Sequence, residues 1–274
     1  MPARRGPAPT GPRLLPTLRD ATGAGLRDLG RLVLPVGCAG CGAWDERLCA
    51  PCAAVLGGAP VRCEQHVPRL DAMDGADALP VWALAAYLGP ARGIVLSWKD
   101  RGRADLGPVL AAAVRRAAAD LAPLLAKAAE GAVVAVVPVP SSAGARRRRG
   151  ADLVAGLAAA ATEGLLDAGV PAVLDKALER RRFRRDQAGL GARARAGNSV
   201  RAVKVRRGRL TRGAGAERPV CLLVDDIVTT GSTLVACEVT LARHGVLALG
   251  ALVVAATPAP PRGAAPLLRP GRAG

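Results

Sequence analysis

Aromatic side chains make up only 2% of this 274-residue chain: three Trp, one Tyr and one Phe. A folded core must therefore be assembled mostly from Ala, Val and Leu, and the interleaved aromatics on which single-stranded bases stack are missing. Histidine occurs twice, and no Ser-His-Asp arrangement can be recognised. No Gly-x-x-x-x-Gly-Lys-Ser/Thr loop is present, so nucleoside triphosphate hydrolysis is not indicated. No apolar run reaches the roughly 18 residues of a membrane-spanning helix. The longest, from Gly245 to Thr257, contains Gly250 and reads as a strand entered from a helix. The N-terminal stretch carries arginines but no continuous apolar segment, so no secretory signal is expected. A cytoplasmic, reducing setting follows, in which thiols persist.

The abundant residues set the opposite limits. Apolar residues form 50% of the chain, enough for one α/β domain with a small added module. Lys and Arg number 39 against 22 Asp and Glu, a net charge of +17. That excess fits phosphate-bearing partners or a general Arg bias in composition, and both readings stay open. Its densest runs are Arg146 to Arg149 and Arg180, Arg181, Arg182, Arg184 and Arg185. Such runs are expected to give weak, salt-sensitive contact with single-stranded DNA.

The most informative segment is Val220-Cys221-Leu222-Leu223-Val224-Asp225-Asp226-Ile227-Val228-Thr229-Thr230-Gly231-Ser232-Thr233-Leu234. Its first part is apolar on both faces, as a central parallel strand must be. A hydroxyl-and-glycine loop then opens a helix, whose N-terminus presents unpaired N–H groups and a positive dipole end to an anion. Thr229, Thr230, Ser232 and Thr233 add donors, and Gly231 lets a phosphate approach the backbone. Asp225 and Asp226, just before it, suit the vicinal hydroxyls of a sugar. A sugar carrying a 5′-phosphate fits both halves.

A second signal lies in Cys38, Cys41, Cys49 and Cys52, two Cys-x2-Cys pairs separated by seven residues. Two such knuckles complete a tetrahedral four-thiolate zinc site. Cys63 and His66 have the spacing of a further half-knuckle, or are a free thiol and a surface histidine. Cys221 and Cys237 fall inside the predicted strand and helix, where small buried hydrophobes are expected.

The coarse reading gives a Pro/Arg/Gly-rich disordered leader over 1–30, a zinc-binding module over 31–68, an α/β domain over 79–257 and a disordered tail over 258–274. Within the α/β domain, Leu79 to Leu88 is expected as a strand, Gly89 to Gly107 as a loop and Val109 to Ala129 as a helix. Strand Val133 to Val139 and helix Asp152 to Asp167 follow. Leu178 to Arg212 is expected to hold short antiparallel strands in a flap. Helix Ser232 to Arg243 and strand Val246 to Ala255 complete a parallel sheet.

The Asp-Asp-x-x-Thr-Thr-Gly-x-Thr pattern after a hydrophobic strand resembles the phosphoribosyl pyrophosphate (PRPP) motif of type I phosphoribosyltransferases. Placed after a four-cysteine module, it resembles the ComF family of competence-related, phosphoribosyltransferase-like proteins. Further matches are Leu34-Pro35-Val36-Gly37-Cys38, Ser97-Trp98-Lys99-Asp100-Arg101-Gly102-Arg103, Val136-Val137-Pro138-Val139-Pro140-Ser141, and Gln187-Ala188-Gly189-Leu190 with Arg195 and Asn198. The resemblance runs from about residue 32 to 257. It implies an α/β fold of the type I phosphoribosyltransferase kind, with a parallel sheet, flanking helices and a small N-terminal four-cysteine zinc module. It also implies PRPP binding by Asp225, Asp226, the Thr229–Thr233 loop, a pyrophosphate loop at Pro140 and Ser141, and Lys99, with Mg²⁺ accompanying the ligand. Asp225 and Asp226 would be the catalytic carboxylates, stabilising positive charge on the ribose. Arg149-Gly150-Ala151-Asp152-Leu153 and Arg184-Arg185-Asp186-Gln187 depart from the family where a pyrophosphate or acceptor would bind. Three functions are compatible with these residues: phosphoribosyl transfer to an unidentified acceptor, a role in DNA uptake through single-stranded DNA or DNA-uptake proteins, and PRPP sensing without turnover.

Overall fold

A strand buried on both faces needs helices on both sides, and the apolar strands of this chain receive them. The computed structural model describes residues 36–67, 78–141, 152–180, 203–206 and 219–258. The expected leader and tail, the Arg146–Arg149 and Arg181–Arg185 runs, and the Gln187–Asn198 segment lie outside the described residues, apart from the tail's first residue, Pro258.

Helix α1 (Ala50–Ala54) and strand β1 (Val61–Arg62) come first, then β2 (Val81–Ala86), α2 (Gly89–Asp100) and α3 (Gly107–Ala129). Strand β3 (Val134–Pro138), α4 (Leu153–Asp167) and β4 (Ala172–Leu174) follow. The chain continues through β5 (Leu178–Arg180), β6 (Val203–Val205), β7 (Val220–Val228), α5 (Ser232–Ala242) and β8 (Leu247–Ala256). Six strands form one sheet in the order β1-β2-β8-β7-β3-β4, parallel throughout except that β1 runs antiparallel to β2. The fold is thus mixed α/β, with a mostly parallel sheet and flanking helices. β5 and β6 pair separately as an antiparallel ribbon, where the sequence placed short strands.

Side chains alternate across the sheet with a period of two. Leu222, Val224, Val134, Val136, Leu252 and Val254 pack on one side with α2, α3 and α4. Cys221, Leu223, Val137, Ala251 and Val253 pack on the other with Leu234, Cys237 and Leu241 of α5. The β3-α4-β4 connection leaves β3 in one direction, and β7-α5-β8 leaves β7 in the other. A switch point therefore lies between β3 and β7, at their carboxyl ends, the place where open α/β sheets hold ligands.

The segment from Gly89 is a helix rather than the expected loop. Ala91, Ile94, Val95 and Trp98 are buried at i, i+3, i+4 and i+7, the spacing of a core-facing helical stripe. The short β4, paired with β3 through Val134 opposite Ala172, is an edge strand that the sequence reading did not include.

Close packing of α3 against α4 depends on a single glycine. A Cβ on Gly164 would overlap the Arg115 carbonyl oxygen and lie 2.9 Å from its carbon. Gly156, in the same helix, would direct a Cβ into open space. Alanine gains about 1 kcal/mol over glycine in a helix, while overpacking costs about 1–3 kcal/mol. We expect Gly156→Ala to raise the melting temperature and Gly164→Ala to lower it, by about 2–4 °C per kcal/mol, as thermal melts will read.

Candidate functional site

Strand β7 delivers two carboxylates to the switch point. Its backbone holds them: the Asp226 N–H donates to Asp225 Oδ1 at 2.8 Å, and the Ile227 N–H donates to Asp226 Oδ1 at 2.8 Å. Pro138 pairs with Val224, and the Val139 N–H donates to the Val224 carbonyl at 2.8 Å. Pro140 and Ser141 therefore leave the sheet beside Asp225 and Asp226. Thr229 and Thr230 are exposed beyond the strand. Gly231 takes φ 75°, a left-handed conformation that an L side chain rarely adopts, and is the N-cap of α5. It supplies no side-chain cap, so the first turn of α5 faces the strand end with its N–H groups and positive dipole. Thr230 Oγ1 lies 3.1 Å from Ser232 Oγ and accepts from the Ser232 N–H at 3.5 Å. Residues 225, 226, 229–233, 140 and 141 thus line one end of the sheet.

Lys99 joins them across 127 residues of sequence. Its Nζ lies 2.8 Å from Asp226 Oδ1 and 2.7 Å from Oδ2, with the Asp226 side chain only 6% exposed. A carboxylate this buried requires such a partner. Burial pushes the Asp225 carboxyl well above the usual range, reinforced by the charge of Asp226 and opposed by the Asp226 N–H and by Lys99. A carboxyl whose pKa rises on folding binds protons more readily in the folded state, so stability falls as pH climbs from the ordinary carboxylate range through the raised value. Asp225→Asn should accordingly raise the melting temperature at neutral pH. The gain should fade as pH drops toward the ordinary range, and melts across that interval will check it.

Arg180, which the sequence offered only as part of a basic run, donates from Nε to the Pro140 carbonyl at 3.1 Å. It ties the β5-β6 ribbon to the end of β3. Cys221 and Cys237 are buried beneath the site, and burial pushes the Cys221 thiol up to about 12 and that of Cys237 upward as well. They are hydrophobes of the core, as expected.

The second cluster is the cysteine module. The Sγ atoms of Cys38, Cys41, Cys49 and Cys52 all lie within 4.8 Å of one another, an arrangement that can hold a metal ion. Cys38–Cys49 and Cys41–Cys49 are 3.6 and 3.7 Å apart. Metal–sulfur bonds of about 2.3 Å in a tetrahedron require sulfur separations of roughly 3.8 Å, whereas a disulfide needs about 2.05 Å. The spacing suits four thiolates around an ion. Burial opposes ionisation of Cys38 most, but the N–H groups of Cys41, Cys49 and Gly40 together hold its thiol down at about 6. Cys52 is pushed up by burial and by the three neighbouring thiols. One cation would relieve that repulsion. Gly40 is required in the first knuckle, since a Cβ there would sit 2.7 Å from Cys52 Sγ.

Cys63 and His66 do not extend this cluster. The Cys63 thiol donates to the Val81 carbonyl at 3.4 Å, and burial pushes it up to about 11. His66 is exposed in a short 3-10 turn. Arg103, which enters the sequence reading only within a family-like segment, and Arg116, which it misses, hold the module in place. Arg103 donates to the carbonyls of Gly37 and Arg47 at 3.3 and 3.0 Å, and Arg116 donates to that of Leu56. Only the arginines themselves could have hinted at this, because their partners are backbone.

Among the described residues no helix is long and apolar enough to cross a membrane. No family model and no curated protein matches the chain.

Proposed function

We propose that this chain is a ComF-like protein of the phosphoribosyltransferase type. It binds PRPP, or another ribose 5-phosphate ligand, at the carboxyl ends of β3 and β7, and its four cysteines hold a structural zinc ion. The observation that carries this reading is the succession of two strand-end carboxylates, an αL glycine N-cap without a side chain, and a helix N-terminus at the switch point. Zinc is favoured among metals because four thiolates in a tetrahedron are its ordinary structural site.

In this reading the Thr229–Thr233 loop takes the 5′-phosphate, Asp225 and Asp226 take the ribose hydroxyls, and Pro140 and Ser141 border the diphosphate. Mg²⁺ accompanying the ligand would neutralise the diphosphate charge. In the transferase form, the bond between ribose C1 and the diphosphate oxygen breaks, and an acceptor atom forms the new bond at C1. The electron pair leaves with pyrophosphate. Positive charge builds on the sugar as the bond breaks, and fixed carboxylates beside it lower the barrier electrostatically. No side-chain nucleophile is needed for this displacement.

Competition tests the reading. Ribose 5-phosphate is expected to displace PRPP, because it offers the same phosphate and hydroxyls, whereas ribose without the phosphate is not. Pyrophosphate released in the presence of candidate acceptors would mark a transferase. Binding without release across them would mark a PRPP sensor, and displacement by unphosphorylated ribose would refute the assignment of the loop.

A further inference from the structure

Helix α2 touches both clusters. Its 12 residues span about 18 Å, and the cysteine knuckle lies along one stripe of it. Gly93 has no side chain between the helix and the knuckle: a Cβ would lie 2.7 Å from the Ala39 carbonyl oxygen and 2.8 Å from that of Gly40. A Cβ on Gly40 would in turn lie 3.1 Å from Pro90 and 2.7 Å from the sulfur of Cys52. The Ser97 hydroxyl donates to the Ala39 carbonyl at 3.5 Å. Just past the helix, Arg103 grips Gly37 and Arg47, its guanidinium held by Asp105 at 2.8 Å. Pro90, Gly93 and Ser97 share one face at i, i+3 and i+7, and Lys99, two residues on, points from the opposite side to Asp226.

We propose that the cysteine knuckle is the positioning element for Lys99, so that metal occupancy at the four cysteines is energetically coupled to the Lys99–Asp226 ion pair. A helix moves as a rigid rod, and close backbone contact without intervening side chains leaves little slack. A knuckle that loses its ion loses its shape, α2 loses its support, and Lys99 no longer lies over Asp226. The coupling is reciprocal: an intact ion pair helps to hold the knuckle closed around its metal. The ligand arm of this inference rests on the ribose-phosphate reading, but the metal arm does not.

The decisive experiment follows metal leaving the full-length, metal-loaded chain under excess chelator, with a chromogenic indicator and no ligand present. Lys99→Met and Asp226→Asn are expected to speed release about fivefold or more, and Lys99→Arg, which keeps the charge, to restore most of the protection. Leu241→Ala weakens the fold on the opposite face of the sheet, in the core beneath α5, and should leave release close to wild type. Unchanged release in Lys99→Met and Asp226→Asn, or equal acceleration by Leu241→Ala, overturns the coupling. In a second arm, Gly93→Ala pushes the knuckle off α2 with every thiol intact and should weaken ribose 5-phosphate binding about fivefold at full metal content. Ser97→Ala serves if that variant does not fold. Binding unaltered in the variant overturns the inference. Failure of the wild-type protein to bind ribose 5-phosphate removes the functional reading instead, and the release measurements still decide the coupling.

Discussion

Replacing Cys38 and Cys41 together by Ser should strip the protein of its metal and lower its melting temperature by about 10 °C or more, as metal analysis and calorimetric melting will show. The size follows from two comparisons. Structural zinc supplies about 10–16 kcal/mol of apparent binding energy in small zinc peptides, and a whole domain is stable by only about 5–15 kcal/mol. The cluster is also part of the core, for Cys38, Cys52 and Leu56 are buried in the same apolar body as Trp98, Leu106 and Leu110. Losing the ion should therefore loosen α2 and the start of α3 as well as the knuckles. The sheet keeps its helices on the α5 side, so a residual transition is expected rather than a fully unfolded chain. A double variant that retains its metal, or wild-type protein purified without chelators that contains none, would remove the metal from the account.

Gly231→Val should reduce PRPP binding by about a hundredfold or more, the largest loss expected from a single change in the loop. Two effects add. A left-handed backbone costs an L residue roughly 1–2 kcal/mol, more for a β-branched one, so the loop would relax to another shape. A side chain would also stand where the phosphate meets the N–H groups of α5. Asp226→Asn should cost about ten- to a hundredfold, since hydrogen bonds to a charged group contribute about 1.5–3 kcal/mol. Thr230→Val should cost less, through the loss of one hydroxyl. Equal effects from Gly231→Val and Thr230→Val would mean that loop shape does not govern binding.

The parts of this architecture that are local in sequence could be read before the fold was known. Residues 220–224 are apolar on both faces because they lie at the centre of the sheet, and the Thr/Gly run after the acid pair marks the turn into α5. The four cysteines announce their cluster by spacing alone. The antiparallel ribbon of β5 and β6 was likewise expected within the Arg-rich stretch.

Other features were hidden for physical reasons. The stretch that holds α2 reads as a loop because glycines at 89, 93 and 102 punctuate it, although Gly93 is there to admit the Ala39 and Gly40 carbonyls rather than to break the helix. β4 is three residues long, too short for a period of two to register. Lys99 was associated with the site only through its segment's resemblance to a family. Its bidentate contact with Asp226 depends on how β2, α2 and β7 come together, which no local pattern encodes. The docking of the knuckle on α2 runs through backbone oxygens, and those carry no residue code.

The central claim is that the acid pair and the loop after it form a ribose-phosphate site. Calorimetric titration of the metal-loaded wild-type chain with PRPP and Mg²⁺ tests this most directly. The account predicts saturable binding, competition by ribose 5-phosphate, and a loss of about ten- to a hundredfold in Asp226→Asn. An absence of saturable heat with millimolar PRPP and with millimolar ribose 5-phosphate, in protein whose metal is shown to be in place, would contradict it.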